Sequence, residues 1–126
     1  MKQAVGLVGV VDDDESLRRS VRSLLASAGL RVALFCSAEE FLAGEARGEV
    51  SCLVLDVHLD GMSGVELAEH IAERGWKLPF VVLTASHDEE LERRSRRAGA
   101  RAIFQKPFAP DDLLQAVQSM LSGAPL

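Results

Sequence analysis

Short apolar runs alternate along the chain with segments in which apolar residues recur at helical spacing. The first run, AVGLVGVV, ends at Val11. Apolar residues then recur on one side of a predicted helix: Leu17, Val21, Leu24, Leu25 and Ala28. An unbroken apolar run is typical of a strand buried on both faces, whereas the spaced pattern is typical of a helix buried on one face. The start of the chain therefore predicts a strand and then a helix that ends at Gly29.

The same alternation continues to the end of the chain. Four more apolar runs predict strands: RVALFC, CLVLDV, PFVVLTA and AIFQK. The helices predicted after them are a short one with a Ser37–Glu40 capping box, two over residues 65–73 and 88–98, and a last one that opens at Asp111. Five β–α units whose strands are apolar on both faces predict a parallel sheet with helices on each side. We therefore expect a three-layer α/β fold and a single domain over residues 1–126.

The composition narrows the class of protein further. Hydrophobic residues make up 48% of the chain and charged residues 26%, which is ordinary for a globular domain. The net charge of −5 gives no electrostatic reason to expect direct nucleic-acid binding. The longest apolar run, residues 4–11, is too short to span a membrane and lacks a signal-peptide cleavage pattern, so we expect a cytoplasmic protein without a membrane partner. Cys36 and Cys52 lie in apolar segments and are predicted to be buried free thiols.

Polar residues stand at the carboxyl ends of four predicted strands. Asp12 and Asp13 follow the first strand, Asp56 lies at the end of the third, Thr84 ends the fourth, and Lys106 ends the fifth. A polar residue at a strand end is more often a turn former or a helix cap than a functional group. The carboxyl ends of parallel strands, however, meet at one edge of the sheet, where open α/β folds bind their ligands. The convergence of these side chains therefore predicts a functional site at that edge of the sheet.

Three clustered carboxylates repel one another unless a positive charge compensates them. A hard divalent cation with oxygen ligands supplies that charge, and an open site with few protein ligands suits Mg²⁺. Lys106 and the Thr84 hydroxyl can meet phosphoryl oxygens, while Asp56 can act as the nucleophile on phosphorus. The two acids that follow in VVDDDE, Asp14 and Glu15, are predicted to occupy the first turn of the next helix, where its dipole favours them.

The chain resembles the receiver domains of two-component response regulators. The matching stretches are VVDDD after the first strand, LVLDVHLDGMSGVEL around Asp56, VVLTA ending at Thr84–Ala85, and GARAIFQKPF ending at Lys106–Pro107–Phe108. They cover nearly the whole chain in the order and spacing of that family. The stretches DGMSGVEL and KPF also resemble receivers of FixJ-like regulators, which carry LuxR-type DNA-binding domains.

This resemblance implies a fold and a reaction. The fold is the flavodoxin-like, doubly wound (βα)5 sandwich with strand order 2-1-3-4-5. The reaction is transfer of a phosphoryl group from a sensor histidine kinase to Asp56 in the presence of Mg²⁺, with Thr84 and Lys106 contacting the phosphoryl group. Such a protein catalyses only its own phosphorylation and dephosphorylation, without turnover of a separate substrate. The Lys106–Pro107 bond is commonly cis in the family.

The resemblance also implies the metal ligands and the partners. Asp13 is expected to bind Mg²⁺ directly, Asp12 through water, and His58 through its backbone carbonyl, beside Asp56. Phosphorylation is expected to control an output domain or a downstream protein, as in transcriptional regulation, and to favour a homodimer through the fourth helix, fifth strand and fifth helix.

Two features leave alternatives open. Ile103 stands where receivers usually carry the Tyr or Phe that responds to the threonine, so either an aliphatic residue still responds or the aromatic half of the switch is missing. The charged fourth helix, DEELERRSRRAGA, forms either a solvated, self-stabilised surface or a partner surface. The side chains of His58 and Ser86 are expected to overhang Asp56 and to affect the lifetime of the phosphoryl group.

Three other functions are less compatible with the sequence. A flavodoxin-like cofactor binder needs a Ser/Thr/Gly-rich phosphate loop after the first strand, where this chain has acids. A pseudo-receiver, which binds partners without phosphorylation, normally lacks one of the key acids or the lysine. A phosphatase with an aspartyl nucleophile needs a second Asp two residues after the first, and His58 occupies that position.

Overall fold

A computed structural model describes residues 6–44, 48–85 and 87–123. Five parallel strands form one sheet in the order β2-β1-β3-β4-β5. The strands are β1 (Leu7–Val11), β2 (Arg31–Phe35), β3 (Val50–Asp56), β4 (Phe80–Thr84) and β5 (Ile103–Gln105). The helices are α1 (Glu15–Ser27), α2 (Ala38–Ala43), α3 (Gly64–Glu73), α4 (Glu89–Arg97) and α5 (Pro110–Ser122). The doubly wound α/β prediction is therefore confirmed, including its strand order.

Two hydrophobic clusters, one on each face of the sheet, hold the three layers together. Alternate strand residues such as Val10 and Val54 pack with α1 and α5, while Leu53 and Leu55 pack with α2 and α3 on the other face. The central strands are buried on both sides, because side chains alternate between the two faces of a strand and helices cover both. This two-sided burial explains the unbroken apolar runs in the sequence.

The helix starts refine the sequence prediction. Asp14 is the N-cap of α1 and accepts from the backbone N–H groups of Ser16 and Leu17, so it precedes the first turn in which it was expected. The Ser37 side chain caps α2 as predicted, but the Glu40 carboxylate accepts from the backbone N–H of Cys36. A reciprocal capping box forms elsewhere, where Ser63 and Glu66 open α3.

Two details of the prediction differ from the structure. Helix α5 begins at Pro110, one residue before the predicted Asp111, because proline is well suited to the first helical position. Both cysteines are free thiols and Cys52 is buried, but Cys36 is exposed. Cys36 was predicted to be buried; it follows Phe35, the last residue of the edge strand β2, and lies beyond the sheet. The first two residues of the predicted first strand, 4–5, lie outside the described residues.

Helix α4 is charged along most of its surface, as its sequence indicates. Asp88 caps its start, and Arg93 pairs with Glu90 within the helix at 2.7 Å. Ser95 is fully buried and donates its hydroxyl proton to the Leu91 carbonyl. Arg94 instead forms two hydrogen bonds, of 3.0 and 2.8 Å, with the Glu69 carboxylate of α3. The helix is therefore tied to its neighbour by an ion pair as well as stabilised within itself.

The register of the sheet brings the strand ends to one edge. Val11 pairs with Phe35 and Leu55, and Thr84 pairs with Gln105. The residues that follow these pairs therefore lie side by side at the carboxyl edge of the sheet. In the part of the chain that the structure describes, no helix has the length and apolar content needed to cross a membrane.

Candidate metal and phosphoryl site

Three aspartates from two strand ends form an acidic cluster at this edge. Asp12, Asp13 and Asp56 each place one carboxylate oxygen within 4.8 Å of the others. Asp12 is 1% exposed and Asp56 is 4% exposed, whereas Asp13 is open to solvent. The cluster therefore has a buried floor and an exposed rim, and its oxygens can be reached from solvent on the side of Asp13.

Lys106 reaches over the cluster from the end of β5. Its ammonium nitrogen lies 3.2 Å from Asp56 Oδ1 and 3.5 Å from Asp12 Oδ2. The Lys106 backbone N–H donates to the Thr84 carbonyl at 2.8 Å. This bond extends the β4–β5 pairing by one residue and fixes the position of the lysine backbone. The Lys106–Pro107 peptide bond is cis, as the resemblance implied. The structure thus places one cation between the two buried carboxylates.

The two buried carboxylic acids both have raised pKa values, chiefly because they are buried. Burial raises the pKa of Asp12, and the backbone N–H of Asp14 and the Lys106 ammonium oppose that rise. Burial and then the charge of Asp12 raise the pKa of Asp56, while Lys106 and the backbone N–H of His58 oppose it. A raised carboxyl pKa means that the charged form is disfavoured. One lysine does not fully compensate these acids.

This donor set fits a hard cation. Three carboxylates that share a small volume offer only oxygen ligands, which is the preference of Mg²⁺ and Ca²⁺. A bound divalent cation would stabilise the charged forms of these carboxylates. The residues present therefore fit the Mg²⁺ expected for the site.

Hydrogen bonds to backbone groups hold the acidic cluster in place. The Asp12 carboxylate accepts from the backbone N–H of Asp14 at 2.9 Å, and the guanidinium group of Arg18 in α1 donates to the Asp12 carbonyl at 2.7 Å. On the other strand, a Cβ atom added to Gly64 would overlap the carbonyl oxygen of Asp56, so α3 starts in close contact with the strand end. Arg18 and Gly64 are not among the site residues predicted from the sequence. Because Asp12 precedes the N-cap Asp14, its contact with Arg18 does not follow from helical spacing.

Thr84 is 3% exposed and is the last residue of β4. It lies at the same edge as the acidic cluster, one strand away from Asp56 and beside the strand that leads to Lys106. The structure therefore places all five residues that were predicted from the strand ends at one edge of the sheet. Ser86 lies outside the described residues.

Ile103 and Phe104 belong to opposite faces of the sheet. Ile103 is half-buried and packs in the same cluster as Leu91 and Ala98, which belong to α4 and its C-cap. Phe104 packs in the cluster of α1 and α5, where its ring lies 6.2 Å from that of Phe108. Phe104 therefore cannot replace the missing aromatic at position 103 without crossing the sheet.

Comparisons with known proteins agree with this geometry. Residues 8–118 match the response regulator receiver domain. The chain is 35% identical to response regulator protein TmoT of Ectopseudomonas mendocina over 125 residues, which are 99% of this chain and 57% of TmoT. It is 40% identical to transcriptional regulatory protein TdiR of Thauera aromatica over 115 residues, which are 91% of this chain and 51% of TdiR. The chain thus spans about half the length of the curated relatives it matches.

Solved structures give the same result. The receiver structure described as FixJ-N has a TM-score of 0.84 and 31% identity, and the match covers 97% of this chain and 96% of that one. Response regulator StyR has a TM-score of 0.86 and 40% identity, and the match covers 94% of this chain and 60% of StyR. Fold, site and relatives agree, and the chain belongs to the receiver domain family of two-component response regulators.

Proposed function

We propose that this chain is a phosphorylation-dependent signalling switch, with residues 1–126 forming one receiver domain. It accepts a phosphoryl group on Asp56 from a sensor histidine kinase. The observation that carries the proposal is the position of Asp56, nearly buried at the end of the central strand, 3.2 Å from the Lys106 ammonium and clustered with Asp12 and Asp13.

In the forward step, an Asp56 carboxylate oxygen attacks the phosphorus of the kinase phosphohistidine. A new O–P bond forms, the P–N bond breaks, and the histidine nitrogen keeps the electron pair and takes up a proton. In the dephosphorylation step, water attacks the same phosphorus, the bond between the Asp56 oxygen and phosphorus breaks, and inorganic phosphate and a proton are released, which restores the carboxylate. Both steps use this chain as the reactant, so no separate substrate is turned over.

The residues of the site have distinct roles in this scheme. Lys106 pairs with Asp56 in the unphosphorylated protein. After transfer it contacts a phosphoryl oxygen and neutralises the negative charge of that oxygen. The hydroxyl of Thr84 donates to a second phosphoryl oxygen. Asp12, Asp13, Asp56 and the backbone carbonyl of His58 would hold Mg²⁺. When bound, Mg²⁺ neutralises carboxylate and phosphoryl charge together and orients the transferred group.

The phosphorylation signal is transmitted from the same edge of the sheet. Movement at Thr84 is passed to the surface formed by α4, β5 and α5, where Ile103 stands at the position of the usual aromatic residue. That surface contacts an output domain or a downstream protein, or a second copy of the chain after phosphorylation. Transcriptional control is the output favoured by relatives such as TdiR. The domain itself does not contact nucleic acid, and it acts in the cytoplasm.

Intact mass spectrometry tests this function. The chain is incubated with acetyl phosphate, with and without Mg²⁺, and its mass is followed over time. We expect a gain of one phosphoryl group that needs Mg²⁺ and is lost in Asp56→Asn. Asp60→Asn, an exposed aspartate in the next loop, is the matched control and should be modified like the wild type. Modification that persists in Asp56→Asn would exclude this function.

A further inference from the structure

The loop from Val57 to Ser63 joins the phosphoacceptor strand to α3. Its ends are fixed by the backbone: Val57 N–H donates to the Leu83 carbonyl at 2.9 Å, and Gly64 N–H donates to the Val57 carbonyl at 3.0 Å. Leu59 is also buried in the core. The loop therefore returns on itself directly after Asp56, and its middle projects toward α2.

Glu39 of α2 contacts the middle of this loop. Its Oε2 accepts from the backbone N–H of Met62 at 2.8 Å, across 23 positions of sequence. A Cβ atom placed on Gly61 would lie 2.6 Å from the same oxygen, and Gly61 has a φ of +75°. Only glycine adopts this backbone conformation readily, and only glycine leaves room for the carboxylate. The two residues thus form one complementary contact.

The rest of α2 does not require the Glu39 carboxylate. Ala38 and Phe41 anchor the helix in the core at 0% exposure, and Ser37 caps its start. Glu39 itself is solvent-exposed. The backbone N–H of Met62 lowers the pKa of Glu39, so the acceptor stays charged near neutral pH. An exposed acid therefore makes its main contact with the loop rather than with its own helix.

We propose that Glu39 is a positioning residue for the phosphorylation site, because it fixes the backbone of the loop that carries His58. This inference rests on the function proposed above, in which the His58 carbonyl is a ligand of Mg²⁺. Glu39 contacts neither the cation nor the phosphoryl group. It acts by restricting the loop before the cation binds, so that less ordering is left for the binding step.

Three variants separate this role from simpler effects. Glu39→Ala removes the acceptor, whereas Glu39→Gln keeps an acceptor oxygen and removes only the charge. Glu40→Ala is the matched control, because Glu40 lies on the same helical turn and its carboxylate accepts from the backbone N–H of Cys36, not from the loop. The measurements are the Mg²⁺ dissociation constant by calorimetry and the hydrogen exchange of the Met62 amide in metal-free protein. Thermal unfolding checks that each variant is folded.

In Glu39→Ala we expect the Mg²⁺ dissociation constant to rise by about tenfold, at the low end of the effect of removing a group that orients a metal ligand. We also expect the Met62 amide to exchange faster. Glu39→Gln should restore most of both properties, and Glu40→Ala should bind Mg²⁺ as the wild type does. Wild-type affinity in Glu39→Ala overturns the proposal. So does equal weakening in Glu39→Gln or Glu40→Ala, since lost negative charge alone would then explain the result.

The wild type separates this proposal from the one on which it rests. If wild-type protein binds Mg²⁺ and is phosphorylated on Asp56 while Glu39→Ala matches it, only the positioning role fails. If wild-type protein neither binds Mg²⁺ nor is phosphorylated, the proposed function fails and the positioning role fails with it. Exchange at Met62 then still reports whether Glu39 holds the loop.

Discussion

The Lys106 ammonium lies 3.2 Å from Asp56 Oδ1, although the two residues are 50 positions apart in sequence. The pair joins the ends of β5 and β3 across the intervening strand β4. Because Lys106 opposes the rise in the pKa of both Asp56 and Asp12, it is the cation on which the charge balance of the metal-free site depends.

Lys106→Met, which keeps an aliphatic side chain, should therefore raise the pKa of Asp56 further in metal-free protein. It should also slow phosphorylation by acetyl phosphate by about 10²-fold, the typical loss when one charge-stabilising donor is removed. Carboxyl ¹³C NMR titration measures the first effect and intact mass the second. Lys77→Met, at an exposed position away from this edge, should change neither. An unchanged Asp56 pKa in Lys106→Met would contradict the charge balance described here.

Replacement of Asp56 by Asn should stabilise the metal-free protein at neutral pH. Burial raises the pKa of Asp56 above 3.8, so the folded protein holds a proton over a pH range in which the unfolded chain has lost it. The wild type therefore loses stability as the pH rises from 3.8 through the raised pKa, whereas asparagine does not titrate. At pH 7 the free energy of unfolding should therefore be higher in Asp56→Asn than in the wild type.

Urea unfolding of both proteins in a chelator, at a series of pH values, measures this difference. We expect the two proteins to converge below pH 3.8 and to separate as the pH rises. Asp60→Asn, at an exposed position, serves as the control for loss of one carboxylate. A difference that does not change with pH would show that Asp56 is not destabilised by burial.

Gly64→Ala should strongly destabilise the fold. Its Cβ atom would overlap the carbonyl oxygen of Asp56, and that oxygen belongs to backbone that cannot rotate away. We expect a loss of about 3 kcal/mol in the free energy of unfolding, the upper end of the usual cost of overpacking. Gly48→Ala is the control, since no described atom lies within 4 Å of its added Cβ; it should change stability by less than about 0.5 kcal/mol. Equal stability of the two variants would show that α3 can move away from the strand end.

The position of the Ile103 side chain before and after phosphorylation distinguishes two ways in which the signal could be transmitted. Because Phe104 packs on the opposite face of the sheet, we expect the output to proceed without an aromatic side chain that moves between exposed and buried positions. Structures with and without a phosphoryl analogue should show movement in α4 and its preceding loop, while Ile103 stays half-buried. An Ile103 side chain that exchanges between buried and exposed rotamers would instead support the view that an aliphatic residue performs the usual switch.

The sheet and the convergence of the site could be predicted because both follow from local pattern. Strands buried on both faces give unbroken apolar runs, and parallel strands bring Asp12, Asp56 and Lys106 to one edge without knowledge of any tertiary contact. The exposure of Cys36 could not be predicted in this way. Strand order came only from the resemblance, and the order decides that β2 is an edge strand.

The contacts between distant loops and helices were also beyond the sequence pattern. Nothing local indicates that Glu39 faces Gly61, or that Arg94 pairs with Glu69 rather than with an acid on its own helix. Glu40 stands at the capping-box position, and yet its carboxylate accepts a hydrogen bond from the backbone N–H of Cys36. A carboxylate at the start of a helix has several backbone donors within reach, and the path of the neighbouring chain selects among them.

Chemical mapping of the phosphorylated residue tests whether Asp56 is the phosphoacceptor. Borohydride reduces the acyl phosphate of an aspartate to the alcohol, so a phosphorylated aspartate is read as homoserine in a digested peptide. After treatment with acetyl phosphate and Mg²⁺, we predict homoserine at position 56 and unmodified aspartate at positions 12, 13 and 60. Homoserine at any of those three positions, or none in the peptide that contains Asp56, would contradict the assignment of Asp56 as the phosphoacceptor.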